Sequence, residues 1–438
     1  MARKLFGTDG VRGVAGEFLS PELALALGRA ATAQARAQRP QVLIVRDTRE
    51  SGAMLQSAVA AGVSAAGGEA LIAGVLPTPA APLLIGRYGF DLGVVISASH
   101  NPYRDNGIKF FAGDGYKLSD AAEEEIEAIV EEGRRAPAPI GGVRELHGAP
   151  EDYLRELHTR FAGLELDGVD VLLDCANGAT FEVAPEIFRR LGARVTAVAD
   201  SPDGRNINEG CGSTHVAALA ERVRAGGHDL GFAFDGDGDR VLAADRNGAV
   251  VDGDELLALA ALHLSGGGRL DGEGVVVTVM TNYGFHTAME RAGIAVATTA
   301  VGDRYVLEEL RSRGWMLGGE QSGHIIEMGF NRTGDGIAAA LLTVEALGGS
   351  DLAERHAMDK LPQRLVNVRV RDREELAGAE QVGAAVADAE RELSGRGRVL
   401  VRPSGTEPLV RVMVEAPSEG EAEQICSRLV ALVERELG

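Results

Sequence analysis

The chain has 438 residues, enough for about three or four domains of ordinary size. Its formal net charge of −21 argues against a nucleic-acid or anionic-membrane partner, because both demand a basic face. Hydrophobic residues make up 45 % and aromatics only 4 %, so the cores are built mainly from Ala, Val, Leu and Ile, and 58 glycines suit a turn-rich protein rather than a helical bundle.

In chain order, Ser20-Pro21-Glu22 predicts an N-cap followed by a helix to Arg36. The run 41–45 (QVLIV) predicts a buried parallel strand. Helix 51–66, strand 69–73, helix 79–88 and strand 92–98 follow, and Ser119 caps an acidic helix ending near Arg135. Small residues, Pro and Gly over 136–149 predict a linker. A second round has helix 150–161, strand 169–175, helix 181–191, strand 194–199, helix 215–226 and strand 230–234. A third has helix 253–264, strand 274–280, helix 283–292, strand 295–299, helix 303–313, a strand entering Gly318, and helix 335–347.

The tail reads strand 364–371, helix 373–394, strand 397–401, strand 409–415 and helix 418–437, an α+β order with an antiparallel sheet. The expected architecture is therefore α/β: three similar domains with mixed sheets (1–149, 150–251, 252–360) and a smaller C-terminal α+β domain (361–438). Cys175, Cys211 and Cys426 lack metal-type spacing and read as free thiols in a reducing cytosol. The N-terminal stretch has no apolar export core, and no run approaches ~18 apolar residues, so a cytoplasmic location is expected.

Four loops carry chemistry, one per expected domain, each after a strand, where open α/β sheets present ligand sites. Ser97-Ala98-Ser99-His100-Asn101-Pro102 sets a hydroxyl, Ser99, at a strand end as a candidate nucleophile, although such residues also make ordinary polar turns. Asp235-Gly236-Asp237-Gly238-Asp239-Arg240 has carboxylates at alternate positions on a glycine-softened backbone. Asp235, Asp237 and Asp239 can converge on one small dication, with Mg²⁺ the hard ion that such oxygens suit. The flanking helices and late Glu of an EF-hand are missing. Gly318-Gly319-Glu320-Gln321-Ser322-Gly323-His324 offers polar groups between glycines, suited to sugar hydroxyls. Arg402-Pro403-Ser404-Gly405-Thr406-Glu407-Pro408, with Arg411 beyond, makes an anion cradle. A fifth stretch, Phe6 to Gly13, is a Gly-rich loop holding Arg12, without the Gly-Lys-Ser/Thr ending of a nucleotide P-loop.

Together these segments resemble the α-D-phosphohexomutase superfamily. FGTDGVRG, ISASHNPYRDNGIKFF, DCANGAT, PDGRNINEGCGSTH, FDGDGDR, GGEQSGHII, TGDGI and RPSGTEPLVRV stand in that group's order along the whole chain. Gln321, the opening GTDGVRG and DCANGAT favour its glucosamine-phosphate branch over the phosphomannomutase/phosphoglucomutase branch, which is the alternative. Val45 departs from the glycine usual there and is expected to alter a turn near the site.

The resemblance implies a heart-shaped, four-domain fold with a central cleft, interconversion of glucosamine 6-phosphate and glucosamine 1-phosphate, and a homodimer through the N-terminal domain. Its product would feed UDP-N-acetylglucosamine and peptidoglycan. It implies a phosphoserine at Ser99 and a hexosamine 1,6-bisphosphate intermediate, with a Ser99 phosphate oxygen joining the three aspartates around Mg²⁺. Lys109, His100, His324 and Arg12 are then the candidates to orient groups or relay the proton. Glu320 and Ser322 hold sugar hydroxyls, Arg240 is a further substrate-binding residue, and Arg402, Ser404, Gly405, Thr406 and Arg411 hold the substrate's phosphate. A hinge near 350–363 would let the intermediate turn over. A phosphatase or a silent sugar-phosphate sensor are the readings from other classes.

Overall fold

The computed structural model describes residues 5–7, 9–35, 37–133, 139–404 and 408–438. These divide into two compact units, one made of 1–280 with 295–355 and the other of 281–294 with 356–438.

The first unit opens with β1 (Val11–Val14), α1 (Pro21–Gln34), β2 (Gln41–Arg46), α2 (Gly52–Ala65), β3 (Glu69–Val75), α3 (Ala80–Tyr88), β4 (Leu92–Ile96), β5 (Asp105–Ala112), α4 (Asp120–Glu132) and β6 (Val143–Glu145). Ser20 caps α1 by accepting from the Leu23 N–H, and Ser119 caps α4 from the Ala122 N–H, as their sequences predict. The strands form one sheet in the order β1-β5-β4-β2-β3-β6. β2 runs parallel to β3 and β4, whereas β5 is antiparallel to β4 and β1.

A second sheet, in the order β11-β10-β9-β7-β8, is built from α5 (Ala149–Arg160), β7 (Asp170–Asp174), α6 (Val183–Arg190), β8 (Arg194–Val198), α7 (Val216–Gly226), β9 (Leu230–Phe234), β10 (Val241–Asp245) and β11 (Val250–Val251). A third follows α8 (Gly253–Gly266): β12 (Gly274–Thr278), β13 (Ala295–Thr299), β14 (Leu317–Gly319) and β15 (Ile325–Glu327), ordered β13-β12-β14-β15. Between β12 and β13 runs α9 (Tyr283–Ala292), which belongs to the second unit, while α10 (Asp303–Arg313) and α11 (Gly336–Leu347) stay with the first.

The second unit joins α9 to β16 (Gln363–Arg369), α12 (Glu380–Leu393), β17 (Arg398–Pro403), β18 (Leu409–Glu415) and α13 (Glu419–Leu437), with an antiparallel sheet β16-β18-β17. Fully buried Glu415 ties it together, accepting from Tyr283 N (2.8 Å), Gln363 Nε2 (2.7 Å) and Arg398 Nε (2.9 Å). Three mixed α/β sheets and a smaller antiparallel C-terminal sheet are thus the expected fold class. Among the described residues no helix is long and apolar enough to cross a membrane, and the three cysteines are free and buried.

Several expectations need correction. Part of the supposed loop 6–13 is strand β1, paired to β5. The supposed linker contains β6, parallel to β3, and α5 starts inside it, while 136–138 lie outside the described residues. Val45 sits inside buried β2, as the strand reading of 41–45 has it, and what departs there is the register against β3. The tail helix 373–394 is a 3-10 turn (Arg373–Gly378) and then α12, broken at Ala379, whose ψ of 76° is not helical.

The strands missed altogether, β5, β10, β11 and β15, share one position: each returns antiparallel beside the strand before it. The chemistry loops are therefore hairpin connections. A hairpin return needs no long apolar run, since its neighbour supplies the pairing, and β5 carries polar Asp105, Asn106 and Lys109.

Candidate active site

Ser99 stands between β4 and β5 with its backbone in the left-handed region (φ 52°), and it is buried. A non-glycine residue there costs about 1–3 kcal/mol unless its surroundings fix it. They do. Ser97 Oγ accepts from the Ser99 N–H (2.9 Å) and donates to Asp47 Oδ2 (2.5 Å). Asp47 also pairs with Arg49 Nε (2.9 Å), and the Arg49 guanidinium donates to the carbonyls of Ser99 (2.8 Å), Asn101 (2.9 Å) and Pro102 (2.6 Å). Asn208 Nδ2 adds a bond to the Ser99 carbonyl (2.9 Å). Sequence reasoning missed this scaffold of Asp47, Arg49 and Asn208. The available signal was a charged RDTR run directly after an apolar buried strand.

The Ser99 hydroxyl donates to Asp235 Oδ2 and lies 3.3 Å from His100 Nδ1. Asp235, Asp237 and Asp239 form the connection between β9 and β10, all buried, and offer oxygens within 4.8 Å of one another. Gly236 lets this loop press on the serine loop, since a Cβ there would come 2.5 Å from the Ser99 carbonyl. Thr78 fixes Asp237 from both sides, its N–H reaching the Asp237 carbonyl (2.8 Å) and its hydroxyl the carboxylate (2.7 Å).

Burial and then the charges of Asp239 and Asp237 push the Asp235 pKa well above the carboxylate range. Asp237 Oδ1 and Asp239 Oδ1 are buried with no hydrogen-bond partner. Three converging carboxylates with orphaned oxygens fit a small divalent cation, which would supply the ligation that the protein withholds.

Lys109 lies against Asp237 (2.9 Å), Asp239 (4.0 Å) and Asp9 (2.9 Å). Burial works against its charge, but Asp237, Asp9 and Asp239 outweigh it and raise its pKa above the ordinary lysine value. It is an ammonium, able to neutralise charge and unable to act as a base at neutral pH. His100 differs: burial, then the charges of Arg240 and Arg12, lower its pKa, so the ring is neutral near pH 7. His324 accepts from the Gly334 N–H at Nε2 (3.0 Å), so its proton sits on Nδ1, which faces Asp239 at 3.7 Å.

A cavity of about 410 Å³ opens here, with Arg12, His100, Arg240, Glu320, Ser322 and His324 in its wall. Ser99, Lys109, Asp235 and Asp237 are buried and do not line it. Arg12 Nε, Arg240 Nε and Ser322 Oγ are buried without hydrogen-bond partners. Glu320 Oε1 accepts from the Gly302 N–H (3.0 Å), and Gln321 Nε2 donates to Asp252 Oδ2 (3.3 Å). Gly323 (φ 88°) abuts Val241, whose N–H donates to the Gly323 carbonyl (3.1 Å), so the loop 318–324 is fastened to the end of the aspartate loop.

In the second unit Arg402 and Arg411 are directly opposite across β17 and β18, which puts both side chains on one face. Burial and then Arg411 lower the Arg402 pKa. Arg411 Nε is buried without a hydrogen-bond partner. Ser404 is buried, and its carbonyl accepts from Arg373 Nη1 (2.7 Å), an arginine that sequence reasoning overlooked. Gly405 and Thr406 lie outside the described residues. Two like charges held face to face are an arrangement that an anion would relieve.

Models of the phosphoglucomutase/phosphomannomutase alpha/beta/alpha domains I, II and III match residues 3–136, 151–248 and 252–365, and that of the C-terminal domain matches 365–432. The chain belongs to this family, the phosphohexomutases. Phosphoglucosamine mutase of Moorella thermoacetica is 53 % identical over 97 % of this chain and 98 % of its own length, and that of Desulforudis audaxviator 51 % over 98 % and 97 %. Within the family the similarity is thus to the phosphoglucosamine mutases, enzymes of the isomerase class. A phosphoglucomutase/phosphomannomutase family protein from Burkholderia thailandensis shares the fold, with a TM-score of 0.83 at 23 % identity over 99 % of this chain and 98 % of its own. So does Aspergillus fumigatus N-acetylphosphoglucosamine mutase, solved with GlcNAc-6P and magnesium (TM-score 0.70, 19 % identity, 99 % and 96 % covered).

Proposed function

We propose that this protein interconverts glucosamine 6-phosphate and glucosamine 1-phosphate, carrying the transferable phosphoryl group on Ser99. The observation that carries the chemistry is the Ser99 hydroxyl bonded to Asp235 within a buried three-carboxylate cluster that has orphaned oxygens. The sugar rests on the similarity to phosphoglucosamine mutases over nearly the whole chain.

In the forward direction the sugar O1 attacks the phosphorus on Ser99. The O1–P bond forms as the Ser99 O–P bond breaks, and the O1 proton passes by way of neutral His100 to the Ser99 oxygen as it leaves. The resulting 1,6-bisphosphate turns over, Ser99 Oγ attacks the O6 phosphoryl group as the O6–P bond breaks, and the serine proton passes through His100 to O6, leaving glucosamine 1-phosphate. Arg12 and Arg240 meet phosphate oxygens with their unpartnered Nε–H groups, and Lys109 offsets charge as an ammonium. Glu320 and Ser322 hold sugar hydroxyls, and His324 orients the reacting groups from Nδ1. Arg402, Ser404, Gly405, Thr406 and Arg411 take the phosphate that is not transferred.

Asp235, Asp237 and Asp239 would hold Mg²⁺ together with a Ser99 phosphate oxygen, and the ion would offset charge on the transferring group. We further read the protein as a cytoplasmic enzyme that dimerises through its N-terminal domain.

The test is kcat/KM on glucosamine, mannose and glucose phosphates, with Mg²⁺ and the matching 1,6-bisphosphate. The glucosamine pair should be preferred. Preference for mannose or glucose phosphates would move the assignment to phosphomannomutase/phosphoglucomutase, and free phosphate outrunning isomerisation would make the protein a phosphatase.

A further inference from the structure

Lys117 lies outside the cavity wall and touches none of the three aspartates, yet it is one of the most constrained cations in the first unit. Its Nζ donates to Asp9 Oδ1 (2.6 Å) and to Asp303 Oδ2, with only 11 % of the side chain exposed. Each partner leads to the site by a separate path. Asp9 Oδ2 pairs with Lys109 (2.9 Å) and with Arg12. Asp303 opens α10, directly after Gly302, whose N–H holds Glu320.

The neighbouring residues repeat the contact with polarity reversed. Arg304 donates to Asp120 and to Glu123 Oε1 (3.0 Å), so residues 117–123 and 303–304 meet through ion pairs of both senses, Lys117 to Asp303 and Arg304 to Asp120 and Glu123. Tyr116 is packed under the Arg311 guanidinium, 4.1 Å from its ring centroid. Arg304 and Tyr116 hold the segments together, but Lys117 alone in this contact also grips Asp9. Without it, Asp9 and Asp303, two carboxylates in the cavity wall, would face each other with that cation removed.

We infer that Lys117 is a positioning residue: by bridging Asp9 and Asp303 it keys the Gly302–Asp303 turn behind Glu320 to the strand that carries Lys109. This rests on the phosphosugar mutase reading above. Lys117 touches neither the serine nor the aspartates, so its loss should misplace the sugar more than the phosphoryl group.

The experiment compares Lys117→Met and Lys117→Arg with wild type, using glucosamine 6-phosphate, Mg²⁺ and glucosamine 1,6-bisphosphate, with Ser99 phosphate occupancy read by intact mass. K117M should raise KM about tenfold or more with kcat within about threefold, as expected when binding geometry is lost, while phosphoserine occupancy stays at the wild-type level. K117R, which can still span two carboxylates, should recover most of the KM. An unchanged KM in K117M, a KM equally raised in K117R, or a collapse of kcat and phosphoserine together would each overturn the inference. If wild type does not isomerise, the functional reading fails by itself. Calorimetric binding of glucosamine 6-phosphate then decides, and unweakened binding to K117M overturns the positioning role.

Discussion

The hairpin that carries Ser99 and the hairpin that carries Arg402 and Arg411 handle charge in opposite ways. Around Ser99, cations and carboxylates are interleaved: Asp47 with Arg49, Asp237 with Lys109, Asp9 with Lys109 and Lys117. Among the described residues Asp237 Oδ1 and Asp239 Oδ1 are left without hydrogen bonds beside the candidate cation site, as are Arg12 Nε and Arg240 Nε near the cavity. In the C-terminal hairpin two arginines face each other across the strands. The first arrangement suits a site that would hold a cation and would unload and reload its serine phosphate within each turnover. The second suits a phosphate that must come and go, because two guanidinium groups on one face offer an anion several donors without a covalent bond or a metal to hold it.

The strongest way to break this comparison is Ser99→Ala. It should abolish turnover and remove the phosphoserine from the intact-mass spectrum; a fully active variant would end the carrier role. Metal removal comes next. Chelation should silence the enzyme, and Mg²⁺ added back should restore activity and raise Tm, since an ion that binds only the folded carboxylate cluster stabilises it by mass action. A Tm indifferent to Mg²⁺ would mean that the three aspartates do not hold it.

Arg411→Ala and Arg402→Ala test the other side. Each should raise KM roughly 10- to 100-fold while leaving Ser99 phosphorylated, because a charge-assisted phosphate contact is worth about 1.5–3 kcal/mol. An unchanged KM would remove the cradle.

The smallest effect concerns the cost of burying charge behind the fixed site. Asp335, which caps α11, has its pKa pushed up to about 6 by burial. The folded state therefore retains a proton that the unfolded chain releases near its ordinary value of 3.8. Stability from this group is fully present at acid pH and is lost as pH rises from about 4 through 6. The Tm difference between Asp335→Asn and wild type should become more positive across that window; a flat difference would mean that Asp335 ionises as freely as an exposed carboxylate.

The spacing of Ser99, the three aspartates, Glu320 and Arg402 was readable because each loop follows an apolar strand and uses residue types with little other reason to cluster. Less visible were the partners. Arg49 and Asn208 reach the Ser99 carbonyl from 50 and 109 residues away, and Lys117 reaches Asp303 across 186. Nothing local marks such pairs, and charged side chains in a sequence read as solvent-facing unless something shows them to be buried.

By itself, then, the sequence determined the parallel strands other than β6, the helix caps at Ser20 and Ser119, and the residues of the four loops, since these follow from local apolar runs and turn chemistry. Only the tertiary structure decided that the loops of Ser99, the three aspartates and Glu320 are hairpin turns, that Lys109 is locked as an ammonium while His100 stays neutral, and that Lys117 joins two parts of the site. Protonation and positioning depend on desolvation and on charges a few ångströms away, and those distances exist only once remote segments have packed.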